Sequence, residues 1–134
     1  MRHGQSLVEL ALCVPVVMLL ALGGAAAVQI ADAKAGLEAA TQAAVAAAAR
    51  AQDPASAAAA AQARFKSVVS AYPLSNASVI VNVGSFQRAT QVSVVALGTV
   101  DVGWAMVLPY RSRLVLQAFA IARVESWRSR TASA

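Results

Sequence analysis

From Leu10 to Val28 the chain carries no charged or amide side chain. From Gln29 the apolar run turns into an alanine-rich stretch punctuated by Asp32, Lys34, Glu38, Gln42 and Arg50. As a helix, Leu10–Val28 measures about 28 Å, roughly one hydrocarbon core. Alanine has the highest intrinsic helix propensity, so the pattern predicts one continuous helix from about Gln5 to Gln52. Such a helix is about 70 Å long and has to project well beyond a bilayer. Pro15 removes one of its backbone hydrogen bonds and predicts a kink there, which a membrane helix tolerates. Ile30, Leu37 and Val45, the large apolar residues of the second half, mark the face expected to meet the protein's own sheet. Asp53-Pro54 ends this helix and starts another, with Asp53 as N-cap and Pro54 at the first helical position. The second helix, Ala55–Ala71, turns Phe65, Val68, Val69 and Tyr72 towards a core and stops at Tyr72-Pro73.

Beyond it the period changes from helical to alternating. Ser78–Val83 and Gln91–Leu97 are short and β-branched, joined by a hairpin-length connection from Gly84 to Thr90. Leu114–Glu125 alternates too: Val115, Gln117, Phe119, Ile121, Arg123 and Glu125 share one face, and Leu114, Leu116 and Val124 the other. Trp104–Leu108 fits either a short helix or an extended piece, Pro109, Arg111 and Arg113 mark an excursion, and the tail after Trp127 is expected to fray. The predicted fold class is α+β: a long helix, a second helix and about three antiparallel strands, with the helices on one face of the sheet.

Composition narrows the function. Of 134 residues 59% are hydrophobic, much of that alanine, and the net charge is +5. The basic residues are mostly arginine and scattered, without a dense run or interleaved aromatics, so nucleic acid is not an expected partner. Cys13 is the single cysteine, which excludes an intramolecular disulfide. Enzyme chemistry lacks its parts, and neither a metal nor another cofactor is expected. The one histidine, His3, precedes the apolar run. Asp32, Glu38, Asp53, Asp101 and Glu125 are dispersed, a metal site needs at least three suitably spaced ligands, and a serine nucleophile needs a base. Leu97-Gly98 and Val102-Gly103 read as turns rather than as a phosphate loop.

The start of the chain is the most specific feature. A short leader, Met1–Gly4, is followed by Gln5 and, within the beginning of the apolar run, by Glu9. A carboxylate at a membrane helix centre costs about 2.5–3.5 kcal/mol on insertion scales, and less near an end. A new amine at Gln5 of a neighbouring chain offsets that cost by pairing with Glu9 in a low dielectric. Two other readings stand beside proteolytic processing after Gly4: an uncleaved anchor whose Glu9 snorkels to the interface, and a secretory signal cut near Ala25–Ala27 or Ala31–Ala33. Against the last, the apolar core exceeds the roughly 7–15 residues of a signal peptide.

Gly4-Gln5-Ser6-Leu7-Val8-Glu9-Leu10-Ala11-Leu12-Cys13-Val14-Pro15, with the aliphatic run to Leu22-Gly23, resembles the N-terminus of TadE-like pseudopilins, minor subunits of the tight-adherence (Tad, or Flp) type IV pilus. Gly4, Gln5, Glu9, Ala11 and Pro15 match the family pattern. The similarity is strong over about the first 24 residues and one of layout beyond, with Leu114–Glu125 similar to the family's last strand. The resemblance implies residues 1–4 as a leader removed by a prepilin peptidase, residues 5–28 as a single transmembrane helix in the inner membrane, and residues 29–134 as a periplasmic or extracellular domain. It also implies other pilin subunits and a Tad assembly platform with its cytoplasmic ATPase as partners, beside the lipid bilayer. Arg2 on the cytoplasmic side suits that orientation. Leu10, where the major pilins carry tyrosine, and the longer chain favour a minor subunit. A type II secretion pseudopilin is the rival within the class, although its usual start has phenylalanine in place of Gln5. A small anchored or secreted binding domain is the rival outside it.

Gly23, Ala27, Ala31, Ala35, Ala39, Ala43, Ala47 and Ala51 fall at four-residue spacing, a stripe of the kind that lets helices approach closely. It drifts by about 40° per step around the helix. In so alanine-rich a stretch, composition explains the stripe as well as a helix-packing interface does.

Overall fold

A computed structural model describes residues 2–84, 90–105 and 113–124. Helix α1 spans Arg2–Ala49 and α2 spans Pro54–Val69. Strands β1, Ser75–Asn82, β2, Gln91–Asp101, and β3, Arg113–Arg123, follow, with a 3-10 turn at Gly103–Ala105 between β2 and β3. Among the described residues these strands form one antiparallel sheet in the order β1-β2-β3. The fold is α+β, with α1 and α2 against one face of the sheet and, among the described elements, none packed on the other.

α1 runs through Pro15 as one helix and ends at Ala49 rather than Gln52. The loop to α2 is short because Asp53 caps the new helix locally. The Ser56 backbone N–H donates to Asp53 Oδ1 at 2.8 Å, and the Asp53 N–H donates back to Ser56 Oγ at 3.3 Å, a reciprocal capping arrangement. Pro54 takes the first helical position as expected. The helix stops at Val69, slightly short of Ala71, with Ser70 as its cap.

β1 and β2 are longer than the alternation predicts. β1 begins at Ser75, where the register slips before Ser78 and Asn76 adopts a φ of +50°, a left-handed conformation that asparagine tolerates. β2 continues past Leu97 to Asp101, so Leu97-Gly98 is strand and not turn. A Cβ at Gly98 would lie 3.0 Å from Leu74 Cδ2 and 3.5 Å from Leu37 Cδ1. Glycine is there because those two side chains pack against the strand backbone. The antiparallel hairpin between β1 and β2 is as expected; Gly84 takes a φ of +56° and donates its N–H to Asn82 Oδ1. Val115, Gln117, Phe119, Ile121 and Arg123 line the exposed face of β3 as the alternation requires, and Leu114, Leu116, Ala118 and Ala120 point inward. Glu125, Met106–Leu108 and the tail after Trp127 lie outside the described residues.

The core has two parts. The larger joins Leu37, Ala40, Ala44, Val45 and Ala48 of α1 to Ala57, Ala61 and Phe65 of α2 and to Val92, Val94, Ala96, Ala118 and Ala120 of the sheet. The smaller joins Ala26 and Ala33 of α1 to Val100, Val102 and Ala105, with Ile30 packed on it. Leu37 and Val45 are fully buried and Ile30 half-buried, so the expected sheet-facing side of α1 is correct. Phe65 is buried, with Val68, Val69 and Tyr72 half-buried around it. Small side chains let two helices and a sheet share a thin core. In α1 the row Gly36, Ala40, Ala44 and Ala48 is buried, and in α2 Ala57 and Ala61 are.

Candidate functional site

The N-terminal half of α1 is unlike any other described part of the molecule. Every large aliphatic side chain from Leu7 to Val28 is exposed. Gly4, Gln5 and Glu9 are exposed as well, on the same continuous helix. An amphipathic helix shows one apolar stripe; this segment is apolar all round, the pattern of a helix with an apolar medium on every side. By length and composition α1 is able to cross a membrane.

Gly4 does not precede the helix but lies within its first turns, because α1 begins at Arg2. Ser6 Oγ donates to the His3 carbonyl at 3.1 Å in this turn. Glycine is among the weakest helix formers, and an added Cβ at Gly4 would meet nothing within 4 Å. The Glu9 carboxylate, among the described residues, makes no hydrogen bond or ion pair within the chain. Cys13 is a free, exposed thiol.

The small-residue stripe divides into three parts. Gly23 is half-buried; Ala27, Ala31, Ala35 and Ala39 are exposed; Ala43, Ala47 and Ala51 are half-buried where α2 comes near. The chain's own close helix packing uses the adjacent row, Gly36, Ala40, Ala44 and Ala48. The signal for this row is Gly36, the one glycine in the alanine-rich half: a methyl group there would overlap the Tyr72 ring.

Between α1 and β3 runs an open groove lined by Lys34, Ala35, Glu38, Ala39, Gln117 and Phe119. Lys34 pairs with Glu38 at 3.4 Å and donates to the Gln117 carbonyl at 3.4 Å. Val124 N–H bonds the Thr90 carbonyl across to β2. Even-numbered peptides of β3 therefore face β2, and odd-numbered ones such as Gln117 face the edge. Lys34 thus covers part of a sheet edge that no other described strand pairs.

A second junction joins residues that sequence spacing does not connect. Gln29, the first polar residue after the apolar run, accepts a hydrogen bond from Trp104 Nε1 at 2.7 Å and donates one to the Asp101 carbonyl at 3.2 Å. Asp101 in turn accepts the Gly103 N–H at 2.9 Å. The sequence signal for this junction is slight: tryptophan is scarce, and Gln29 marks the end of the apolar run.

Among the described residues no three His, Cys, Asp or Glu side chains come together as metal ligands. Asp101 stands exposed at a strand end opposite Arg113. Asp53 is held below its ordinary value, chiefly by the Ser56 N–H and then by the Ser56 hydroxyl, which marks it as a cap. Comparisons with protein-family models, with curated proteins and with solved structures find no match to this chain.

Proposed function

We propose that this chain is a minor pilin-like subunit, a TadE-like pseudopilin. In this reading it is inserted in the inner membrane, cut after Gly4 by a prepilin peptidase and handed by a Tad assembly platform to other pilin subunits. The observation that carries the reading is the pairing of Gly4 with an unpartnered Glu9 at the start of a helix that is apolar on every side. A buried carboxylate without a partner is costly, and this chain offers Glu9 none among its described residues. The amine created at Gln5 of an adjacent subunit supplies one. Gly4 also suits a scissile position, since the first turn unwinds most easily where helix propensity is lowest.

The function is structural rather than catalytic. The apolar half of α1 holds the subunit in the bilayer and then buries against neighbouring helices. The exposed part of the stripe, Ala27 to Ala39, is the surface on which a neighbour's helix approaches most closely. The α+β domain is carried outside.

The test is the intact mass of membrane-extracted protein from the native host, for the wild type and for Gly4→Ala and Glu9→Ala. Loss of Met1–Gly4 alone, abolished in Gly4→Ala, is the expected result. Glu9→Ala is expected to be recovered from the membrane and to fail to enter filaments. A product beginning near Val28 or Lys34 would make the chain a secreted domain and overturn the proposal.

A further inference from the structure

The junction of Gln29, Asp101 and Trp104 lies at a defined height on α1. The run without charged or amide side chains ends at Val28, and Gln29 is the next residue. Val102, just before the 3-10 turn, and Ala105, its last residue, pack on Ala26 and Ala33, one turn to either side of Gln29. The end of the sheet is therefore fastened to α1 at the level where the apolar run stops. The Trp104 indole is tied by its N–H to Gln29, yet the side chain remains 50% exposed. On α1, Val28 stands one residue and Leu22 seven residues before Gln29, and both are exposed as well.

From this we infer a second membrane contact: Trp104 and its turn rest in the headgroup region of the bilayer crossed by α1, with phospholipid as the occupant of the exposed indole face. The inference rests on α1 spanning the membrane. Four observations carry it. Trp104 is bonded to Gln29, the residue next to the exposed Val28, so the turn lies at the level where lipid covering α1 ends. An indole with its N–H satisfied and one face open is suited to the membrane–water interface, where tryptophan concentrates. The turn itself is held rigidly, by Asp101 through the Gly103 N–H and by Gln29 through two hydrogen bonds. Arg113, across the sheet from Asp101, places a cation at the same end of the sheet, on the side of anionic headgroups. The consequence is an outer domain seated on the bilayer at fixed height and orientation while the subunit waits there, rather than swinging on the helix.

The test uses the full chain with Trp127→Phe, leaving Trp104 as the sole tryptophan. It is reconstituted into phosphatidylcholine–phosphatidylglycerol vesicles whose lipids carry a quencher either near the headgroups or near the chain ends. Trp104 emission is expected to be blue-shifted, strongly quenched by the shallow label, weakly by the deep one and poorly by aqueous iodide. A companion chain, Leu19→Trp with Trp104→Phe and Trp127→Phe, reports on the span and is expected to respond most to the deep label. If Leu19→Trp is quenched by lipid while Trp104 is reached only by iodide, the interfacial contact is wrong and the span stands. Trp104 shielded from lipid label and iodide alike would assign its face to another copy of the chain and overturn the lipid contact. If neither position is quenched by lipid, the span fails and the contact with it.

Discussion

α1 is one helix with two opposite surfaces. In its first half, leucine, valine and methionine stand exposed; Leu20 is 71% accessible. In its second half the exposed positions are alanine, glutamine, lysine and acids, and Leu37 is 1% accessible. The intervals of hydrophobic residues do not cause this reversal, because both halves are largely apolar. What differs is the neighbour. The second half buries its small side chains against α2 and the sheet, whereas the first half, apart from Ala26 near its end, has no neighbour within the described chain and needs lipid or other subunits to cover it. Burial of a large aliphatic side chain contributes about 1.5–3 kcal/mol. The two halves therefore report separately on the domain's stability and on its surroundings.

The sharpest test is the same substitution in each half. Leu37→Ala is expected to cost the domain about 2–5 kcal/mol, as large-to-small changes in a closed core do. Leu20→Ala should leave domain unfolding unchanged. Urea denaturation of detergent-solubilised protein, followed by circular dichroism, measures both, and equal losses would break the comparison. Next in size is the glycine pair. Gly36→Ala forces a methyl group into the Tyr72 ring and is expected to lose about 1–3 kcal/mol, against a helix-propensity gain of about 1 kcal/mol. Gly24→Ala meets nothing within 4 Å and should not destabilise the isolated chain. The smallest effect is at Asp53, which belongs wholly to the second region. Its folded pKa is lowered from 3.8, so its contribution is present above that value and disappears as pH falls through the lower folded one. The stability difference between wild type and Asp53→Ala is expected to shrink on acidification below the ordinary carboxylate range, and titration of thermal unfolding against pH checks it.

Features built from neighbouring residues were legible from the chain alone. Asp53-Pro54 predicts the start of α2 because capping is completed within three residues. The alternation of Leu114–Arg123 predicts the two faces of β3 because strand geometry turns successive side chains to opposite sides. Gly98 misled as a turn, since the reason for glycine there is the approach of Leu37 and Leu74, distant in sequence. The first turn of α1 extended through Gly4 for a simpler reason: nothing in Arg2–Gln5 is strong enough to stop a helix that the following residues propagate.

By itself, the sequence determined a long helix able to cross a membrane, a second capped helix, a run of strands, and the spacing of Gly4 and Glu9 on which the functional reading rests. Each of these depends on local propensity, period or short-range chemistry. Only the tertiary structure decided which of several equivalent alanine rows is buried, that Gly36 lies beneath Tyr72, and that Gln29 meets Trp104 where the apolar run ends. Alanine rows one residue apart differ in nothing but direction, and residues 75 positions apart share no local signal. Their roles are set by what packs against them, which exists only once the helices and the sheet have come together.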